Sequence, residues 1–164
     1  MSSLLDLPLI VRNAKESDAD DICRILAVYA DEHLLLRRSK EDILEKIANF
    51  RVGTVDGRFA CCLALRDYGD SLFEIRSLAV DKEFINHRLG SALVRGAVED
   101  LRRRKIPCRV FALTYRAHFF ENLGFRIVSK ELFPQKIWSD CSVCAKKDCC
   151  DETAVLLDMT GAEQ

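Results

Sequence analysis

A hairpin signal near the middle of the chain restricts the fold more than any other feature of the sequence. Asp56-Gly57, a pair suited to a tight two-residue turn, separates the apolar run 52–55 from the apolar run 59–65. Two antiparallel strands are therefore expected there. The next apolar run, 72–80, follows a short polar turn and is predicted to be a central strand of the same sheet.

The residues after this strand predict a crossover connection. A long helix is indicated by apolar residues at helical spacing: Leu89, Leu93, Ala97 and Leu101. Pro107 prevents the helix from continuing, and the run 108–114 predicts another strand. Strand, helix and strand in this order form a crossover, and the two strands it joins are expected to be parallel.

Two helices are predicted before the hairpin, after a short strand at 9–11. Ser17, with Asp20 three residues later, predicts the start of the first helix. Ser39, with Asp42, predicts the start of the second in the same way. The buried stripe of the second helix is expected to consist of Ile43, Ile47 and Phe50.

The remaining elements complete a mixed α/β (α+β) fold. A short helix at 117–123 should stop at Gly124, with a strand from Phe125 and a last strand at 154–157. The sheet is expected to be mostly antiparallel with one parallel strand-helix-strand junction. Without an internal repeat or a Gly/Ser-rich linker, residues 1–164 are expected to form a single domain.

Composition argues against some partners. The 25 Lys+Arg residues are balanced by 26 Asp+Glu, which gives a formal net charge of -1 and no general attraction to nucleic acid or to an anionic membrane. No run approaches the roughly 18 to 20 apolar residues of a spanning helix, and the first residues lack the pattern of a secretion signal. A cytoplasmic protein is therefore expected.

Four of the eight cysteines lie close together near the end of the chain: Cys141, Cys144, Cys149 and Cys150. They offer enough thiolates for a tetrahedral structural zinc, but adjacent ligands in so tight a loop strain that geometry. Reduced packing thiols and a redox or disulfide role are the alternatives, and the sequence leaves all three open. Burial is expected for the other cysteines considered, Cys23, Cys61 and Cys62. The three histidines share no metal spacing.

Two local features suggest chemistry. The turn after Val80 leads into a helix near 87–90, where exposed backbone N–H groups suit a phosphate, although an ordinary crossover would look the same. Glu74 places a carboxylate in a predicted central strand, which is unusual for a buried position.

Several segments resemble the GNAT superfamily of acyl-CoA-dependent N-acetyltransferases. The segments that carry the likeness are 34–39 (LLLRRS), 74–80 (EIRSLAV), 111–114 (FALT) and 118–125 (HFFENLGF). They are most similar to the acetyltransferase domain of bacterial N-acetylglutamate synthases. The segment 136–141 resembles a short branch that lacks the amino-acid-kinase-like domain. The resemblance implies a GNAT-like acyl-CoA N-acyltransferase fold and acetyl-CoA as cosubstrate.

The same resemblance implies where acetyl-CoA binds. The superfamily's pyrophosphate loop follows the pattern Gln/Arg-x-x-Gly-x-Gly/Ala, and only the final glycine fits here, because Arg88 stands where the pattern has its first glycine. Backbone amides near 78–80 are expected to polarise the thioester carbonyl. The implied cofactor-binding residues are Leu78, Ala79, Val80, His87, Arg88, Leu89, Gly90 and Ser91.

For the reaction itself, the resemblance implies Glu74 as the base that removes a proton from the acceptor ammonium. The alternative is a strand carboxylate paired with an arginine such as Arg76. The tyrosine that donates a proton to the departing thiolate in many relatives is replaced here by phenylalanine, so Thr114 and Tyr115 are the candidate donors. Capping or packing would equally explain both residues.

Arg38 is the candidate for holding the acceptor's carboxylate, because a guanidinium fork matches a carboxylate in two hydrogen bonds. Ser77 is the second implied substrate contact. The expected activity is acetyl transfer from acetyl-CoA to the α-amino group of L-glutamate, the first step of arginine biosynthesis, by direct attack in a ternary complex. Glutamine or another small amine as acceptor, and a degenerate domain that senses CoA or an amino acid, are the alternatives. A homodimer is a family expectation.

Overall fold

A computed structural model describes residues 8–85, 87–105, 107–133 and 152–160. The elements follow one another as β1 (Leu9–Asn13), α1 (Ala19–Asp31), α2 (Lys40–Glu45), β2 (Phe50–Val55), β3 (Arg58–Asp67), β4 (Leu72–Val80), α3 (Leu89–Arg103), β5 (Cys108–Thr114), α4 (Ala117–Glu121), β6 (Arg126–Val128) and β7 (Thr153–Met159). This is the predicted mixed α/β order. The sheet is mostly antiparallel, and its parallel pair, β4 with β5, confirms the predicted junction.

The described residues group into two units, one formed by the chain up to Arg66 with Ile75–Asp100, the other by Asp67–Glu74 with the chain from Leu101 onward. Strand β4 contributes residues to both.

In the first unit the strand order is β1-β2-β3-β4. The predicted hairpin turn is present, with Asp56 at φ 51° and Gly57 at φ 78°, the left-handed pair that a tight two-residue hairpin needs. Helices α1 and α2 pack on these strands through a core that includes Ile22, Leu26 and Ile43.

In the second unit the strand order is β4-β5-β7-β6. Strand β7 therefore lies between β5 and β6, which both precede it in the chain. Leu72–Glu74 of β4 pairs with Arg109–Phe111 of β5. Phe111 stacks on Phe133 at a centroid distance of 4.3 Å and anchors the core of this unit.

Two predictions about the helices are wrong. Helix α1 begins at Ala19 rather than under a Ser17 cap, because the carboxylate of Asp18 accepts the Lys15 N–H at 2.7 Å and also pairs with Arg12. The second helix ends at Glu45, so Ile47 lies in a 3-10 turn and Phe50 already begins β2. Ile43 and Phe50 are buried and Ile47 is partly buried, but the three belong to a helix, a turn and a strand rather than to one helical stripe.

Of the described helices, none is both long and apolar enough to span a membrane.

Candidate functional site

An open cleft in the first unit is lined by both residues implied in substrate binding, Arg38 and Ser77. Three further cations line it, namely Lys46, Arg66 and Arg76. Asp42 is the carboxylate among the lining residues. The four cationic side chains come from β3, from β4 and from the segments just before and just after α2, so the lining of this cleft suits an anionic ligand.

Arg38 is held at the cleft by the start of α2. Ser39 caps this helix, accepting the Asp42 N–H at its hydroxyl oxygen at 3.1 Å. The Cys23 thiol donates to the carbonyl of Arg38 at 3.5 Å. The Arg38 side chain is only 12% exposed, whereas that of Arg37 is 58% exposed and pairs with Asp31. The structure therefore separates the two neighbouring arginines, because Arg38 lines the cleft while Arg37 lies on the surface.

The carboxylate of Asp42 lies between two of the cleft's cations. One of its oxygens is 3.4 Å from Nη1 of Arg38, and the other is 3.2 Å from Nζ of Lys46. A carboxylate at this point holds both cations in place, and it competes with any anion that binds there.

Ser77 interrupts the regular conformation of β4. It is buried and lies in the left-handed region with φ 54°, and its carbonyl accepts a hydrogen bond from the Cys62 thiol at 3.5 Å. Of the residues that follow, Leu78 is half-buried and Ala79 is buried. The strand ends at Val80, whose carbonyl accepts the Tyr29 hydroxyl at 2.6 Å.

The turn before α3 has features of an anion site. Leu89 begins the helix, and the Ala92 N–H bonds the Arg88 carbonyl at 3.1 Å, so the amides of Leu89, Gly90 and Ser91 belong to the first turn. His87 and Arg88 stand immediately before them. Arg88 adopts φ 61°, so an arginine carries the left-handed conformation that suits the glycine of the family pattern. Amides and a cation together fit a diphosphate.

In the second unit, Glu74 is 6% exposed and accepts a hydrogen bond from the Tyr68 hydroxyl at 2.6 Å on Oε1. It lies opposite Phe111 on β5. The sequence pattern suggested an arginine as the partner of this carboxylate, and Tyr68 is a partner that it did not indicate.

Thr114 and Tyr115 lie at the end of β5. The hydroxyl oxygen of Thr114 accepts the Arg116 N–H at 2.7 Å in a local turn, and the start of α4 that follows has no side-chain cap. This bond engages an oxygen lone pair and leaves the hydroxyl proton to be donated elsewhere. Tyr115 is half-buried. Proton donation by either residue stays a prediction.

The thiols of Cys61 and Cys62 are buried in β3, as expected. Burial raises the pKa of Cys61 to about 12 and that of Cys62 still further. Among the described residues no group of three or more His, Cys, Asp or Glu side chains could hold a metal ion. The four clustered cysteines lie outside the described residues, so a structural zinc site there stays a prediction: Cys141, Cys144, Cys149 and Cys150.

Sequence reasoning did not assign Lys46, Arg66 or Tyr68 to these sites, and it considered Arg76 only as a partner of Glu74. Arg76 carries a signal that could have found it, since it stands inside the largely apolar run 72–80, whereas Arg66 only follows the apolar run of β3. Lys46 and Tyr68 carry none, because a lysine after a helix and a tyrosine in a polar turn are common on any surface.

Comparison with known proteins gives consistent matches. The profile of the acetyltransferase (GNAT) domain matches residues 46–127. An uncharacterized N-acetyltransferase of Chlorobaculum tepidum is 44% identical over 146 residues, 89% of this chain and 94% of that protein. An amino-acid acetyltransferase of Mycobacterium tuberculosis is 32% identical over 119 residues, 71% of this chain and 67% of that protein.

Among solved structures, N-acetylglutamate synthase from Neisseria gonorrhoeae, complexed with coenzyme A and N-acetyl-glutamate, superposes with a TM-score of 0.82 at 22% identity. The match covers 94% of this chain but 36% of that one, so this chain corresponds to about a third of the synthase. A Mycobacterium tuberculosis protein in complex with CoA and the ligand NLQ has a TM-score of 0.76 at 26% identity, covering 91% of this chain and 98% of that one.

Proposed function

Because the chain belongs to the GNAT family of acetyltransferases, we propose that it moves an acetyl group from acetyl-CoA to the α-amino group of L-glutamate. The observation that carries this proposal is the cleft in which Arg38, Arg66 and Arg76 converge with Lys46. The relatives named amino-acid acetyltransferases support an amino acid as the acceptor. In this role the enzyme catalyses the first step of arginine biosynthesis, in the cytoplasm.

Glutamate brings two carboxylates, and the cleft has cations for both. Arg38 is the proposed ligand of the α-carboxylate, because its side chain is largely buried and its guanidinium fork suits bidentate binding. Arg66 and Arg76, on neighbouring strands, are the proposed ligands of the side-chain carboxylate. Sequence reasoning identified no second cation, and these two arginines supply the missing charge.

The acceptor amine must lose a proton before its lone pair can attack the thioester carbon. Glu74 is the proposed base, and it takes this proton from the ammonium before the new C–N bond forms. After the attack the nitrogen carries one proton more than it has in the amide product, and this proton replaces the one that the departing sulfur takes from the enzyme. The C–S bond then breaks, and the sulfur leaves as a thiolate that requires a proton, for which Thr114 and Tyr115 are the proposed donors. Binding the two substrates side by side supplies much of the rate without a covalent enzyme intermediate.

The residues present fit a CoA diphosphate at the start of α3. The amides of Leu89, Gly90 and Ser91 would bind its oxygens, and Arg88 would add a charge-assisted hydrogen bond. Loss of the family glycine at position 88 removes no backbone donor, because arginine also has an N–H.

The test is an assay of the purified protein with acetyl-CoA and a panel of glutamate, glutamine, aspartate and simple amines, with the product identified by mass spectrometry. We expect N-acetylglutamate as the main product. If glutamine were acetylated in preference, the acceptor would be glutamine, the alternative that the sequence analysis gives. Binding of CoA without any product would indicate a sensor domain instead.

Variants of the two neighbouring arginines sharpen this test. Arg38→Leu should raise the KM for glutamate at least tenfold, since a charged hydrogen bond contributes about 1.5 to 3 kcal/mol. Arg37→Leu is the matched control, because Arg37 is exposed and pairs with Asp31 outside the cleft. Equal effects of the two substitutions would contradict the role of Arg38.

The side-chain carboxylate is tested separately. Arg66→Gln and Arg76→Gln should each raise the KM for glutamate while changing the KM for glutamine much less. The reason is that glutamine has no charge for these residues to neutralise. An equal change for both acceptors would remove the two arginines from side-chain recognition.

A further inference from the structure

The hydrogen bond between Tyr68 and Glu74 joins the proposed base to a residue with no role so far. Its O···O distance of 2.6 Å lies in the range of short bonds from a hydroxyl to a charged oxygen. Glu74 is 6% exposed, so this bond forms where competition from water is weak.

Tyr68 is fixed on two sides. Its backbone N–H donates to the carbonyl of Leu72 at 2.9 Å, which closes the turn between β3 and β4. Its ring packs against Phe111, with a centroid distance of 6.0 Å. A side chain held by both backbone and ring contacts presents its hydroxyl at a defined place.

The turn that carries Tyr68 has an unusual backbone. Gly69, Asp70 and Ser71 all adopt positive φ, at 81°, 56° and 60°, although two of them are not glycine. The turn is held in this form by the Asp67 carboxylate, which accepts the Gly69 N–H at 2.8 Å, and by the Ser71 carbonyl, which accepts the Arg109 N–H at 2.9 Å. Conformations of this cost persist where the surrounding structure enforces them, and they often accompany functional sites.

We infer that Tyr68 is a positioning residue for Glu74, and that its hydroxyl orients the carboxylate and keeps it ionised for proton uptake. This inference rests on the proposed function, in which Glu74 is the base. A donor to a carboxylate stabilises the charged form, so the base remains ready at lower pH than it would without the tyrosine.

Other charged groups lie on the elements around Glu74. Arg76, two positions further along β4, lines the cleft of the first unit. Asp67 and Asp70 belong to the turn, and Asp67 is engaged by the Gly69 N–H. On β5, Arg109 lies opposite Leu72 and interacts with Asp158, whose pKa is lowered mainly by hydrogen bonds from Thr160 and further by this arginine. A Tyr68→Phe substitution leaves all of these groups in place, so it isolates the effect of the hydroxyl.

The experiment compares the pH dependence of kcat in the wild type and in Tyr68→Phe. We expect kcat at neutral pH to fall about tenfold, the scale of one charged hydrogen bond, while the KM for acetyl-CoA stays within about twofold. The acidic limb of the profile should move to higher pH by about one unit. If Tyr68 served only the stability of the fold, Tyr68→Phe would lower kcat without moving the acidic limb of the pH profile.

Tyr29→Phe is the matched control. It also removes a hydroxyl that donates at 2.6 Å, but the acceptor is the backbone carbonyl of Val80. Its acidic limb should stay at the wild-type pH. If the limb moves equally in both variants, the inference is overturned.

A second measurement does not depend on activity. The titration of Glu74 can be followed by NMR with ¹³C-labelled glutamate carboxyls, its signal assigned by its loss in Glu74→Gln. We expect the midpoint to rise in Tyr68→Phe and not in Tyr29→Phe. An unchanged midpoint together with an unchanged limb would overturn the inference even when Glu74→Gln is inactive. Wild-type turnover in Glu74→Gln would instead exclude Glu74 as the base. Tyr68 would then have no part in catalysis through this carboxylate.

Discussion

In the cleft of the first unit, Oδ2 of Asp42 lies 3.4 Å from Nη1 of Arg38, so the arginine proposed to bind the acceptor already faces a carboxylate. The same side chain is 3.2 Å from Nζ of Lys46. Any carboxylate that enters the cleft must share these cations with Asp42.

Asp42→Asn should therefore lower the KM for glutamate by about two- to fivefold and leave kcat nearly unchanged. The size of the effect follows from a partly exposed ion pair, for which about 0.5 to 1 kcal/mol is typical. Steady-state kinetics with glutamate as the varied substrate measures it. A raised KM would mean that Asp42 positions Arg38 more than it competes with the substrate.

The pair formed by Arg12 and Asp18 should make stability depend on pH. The hydrogen bond from Arg12 lowers the pKa of Asp18 below its ordinary 3.8, with help from the Lys15 N–H. A lowered pKa in the folded state contributes stability above the unfolded pKa, and this contribution disappears as the pH falls through the folded value. Asp18→Asn should lose about 1.5 to 3 kcal/mol at pH 7.

Urea unfolding at a series of pH values tests this expectation. The difference in unfolding free energy between wild type and Asp18→Asn should be constant from pH 7 to pH 5 and should shrink below pH ~4. A difference that persists unchanged at pH ~2 would show that packing, and not the charge of Asp18, stabilises the start of α1.

Much of this fold follows from local sequence signals. Asp56-Gly57 fixes the hairpin because few other pairs accept two left-handed residues, and the bounds of β4 and β5 agree with their apolar runs. The placement of β7 between β5 and β6 could not be predicted, since strand pairing across long stretches of chain leaves no local pattern. The start of α1 at Ala19 could not be predicted, because it depends on the hydrogen bond from Arg12 to Asp18. This contact joins residues of separate elements and leaves no local pattern.

The residues of the candidate site likewise fall into those that the sequence indicates and those that only the fold brings together. Arg38, Ser77 and Glu74 were found through a family resemblance, which records positions along the chain. Arg66 and Arg76 come together with Arg38 only once β3 and β4 pair and α2 packs on them. Convergence of this kind depends on the folded geometry and not on spacing in the sequence.

The left-handed residue Arg88 can be tested with two substitutions. Arg88→Gly and Arg88→Ala both remove the guanidinium, but only glycine accepts φ 61° without steric cost. We expect Arg88→Gly to be the more stable of the two by about 1 kcal/mol, measured by thermal unfolding. Equal stabilities would mean that the turn relaxes when the side chain is shortened.

Gly53 marks a close approach between β2 and its neighbours. A Cβ there would lie 2.6 Å from Sγ of Cys61 and 2.8 Å from Cδ1 of Leu9, so Gly53→Ala should destabilise the protein by about 1 to 3 kcal/mol. Adding Cys61→Ala should recover part of the loss by removing the sulfur. Gly96→Ala is the control, because nothing lies within 4 Å of a Cβ on this helical glycine, and it should stabilise the protein slightly.

The buried thiols of β3 should resist alkylation. Because burial raises the pKa of Cys61 to about 12, little thiolate is present at pH 8, and the same holds for Cys62. N-ethylmaleimide followed by peptide mass spectrometry should leave both unlabelled in the native protein and label both in urea. Rapid labelling of either one without denaturant would reveal opening of β3.

The position of β7 has a consequence for synthesis. Because β6 pairs with β7, and β7 fills the space beside β5, this half of the sheet cannot close on the ribosome until residues 153–159 have emerged. Until then β5 and β6 each carry an unpaired edge, and a chaperone that shields such edges would be needed most in the interval before β7 has emerged.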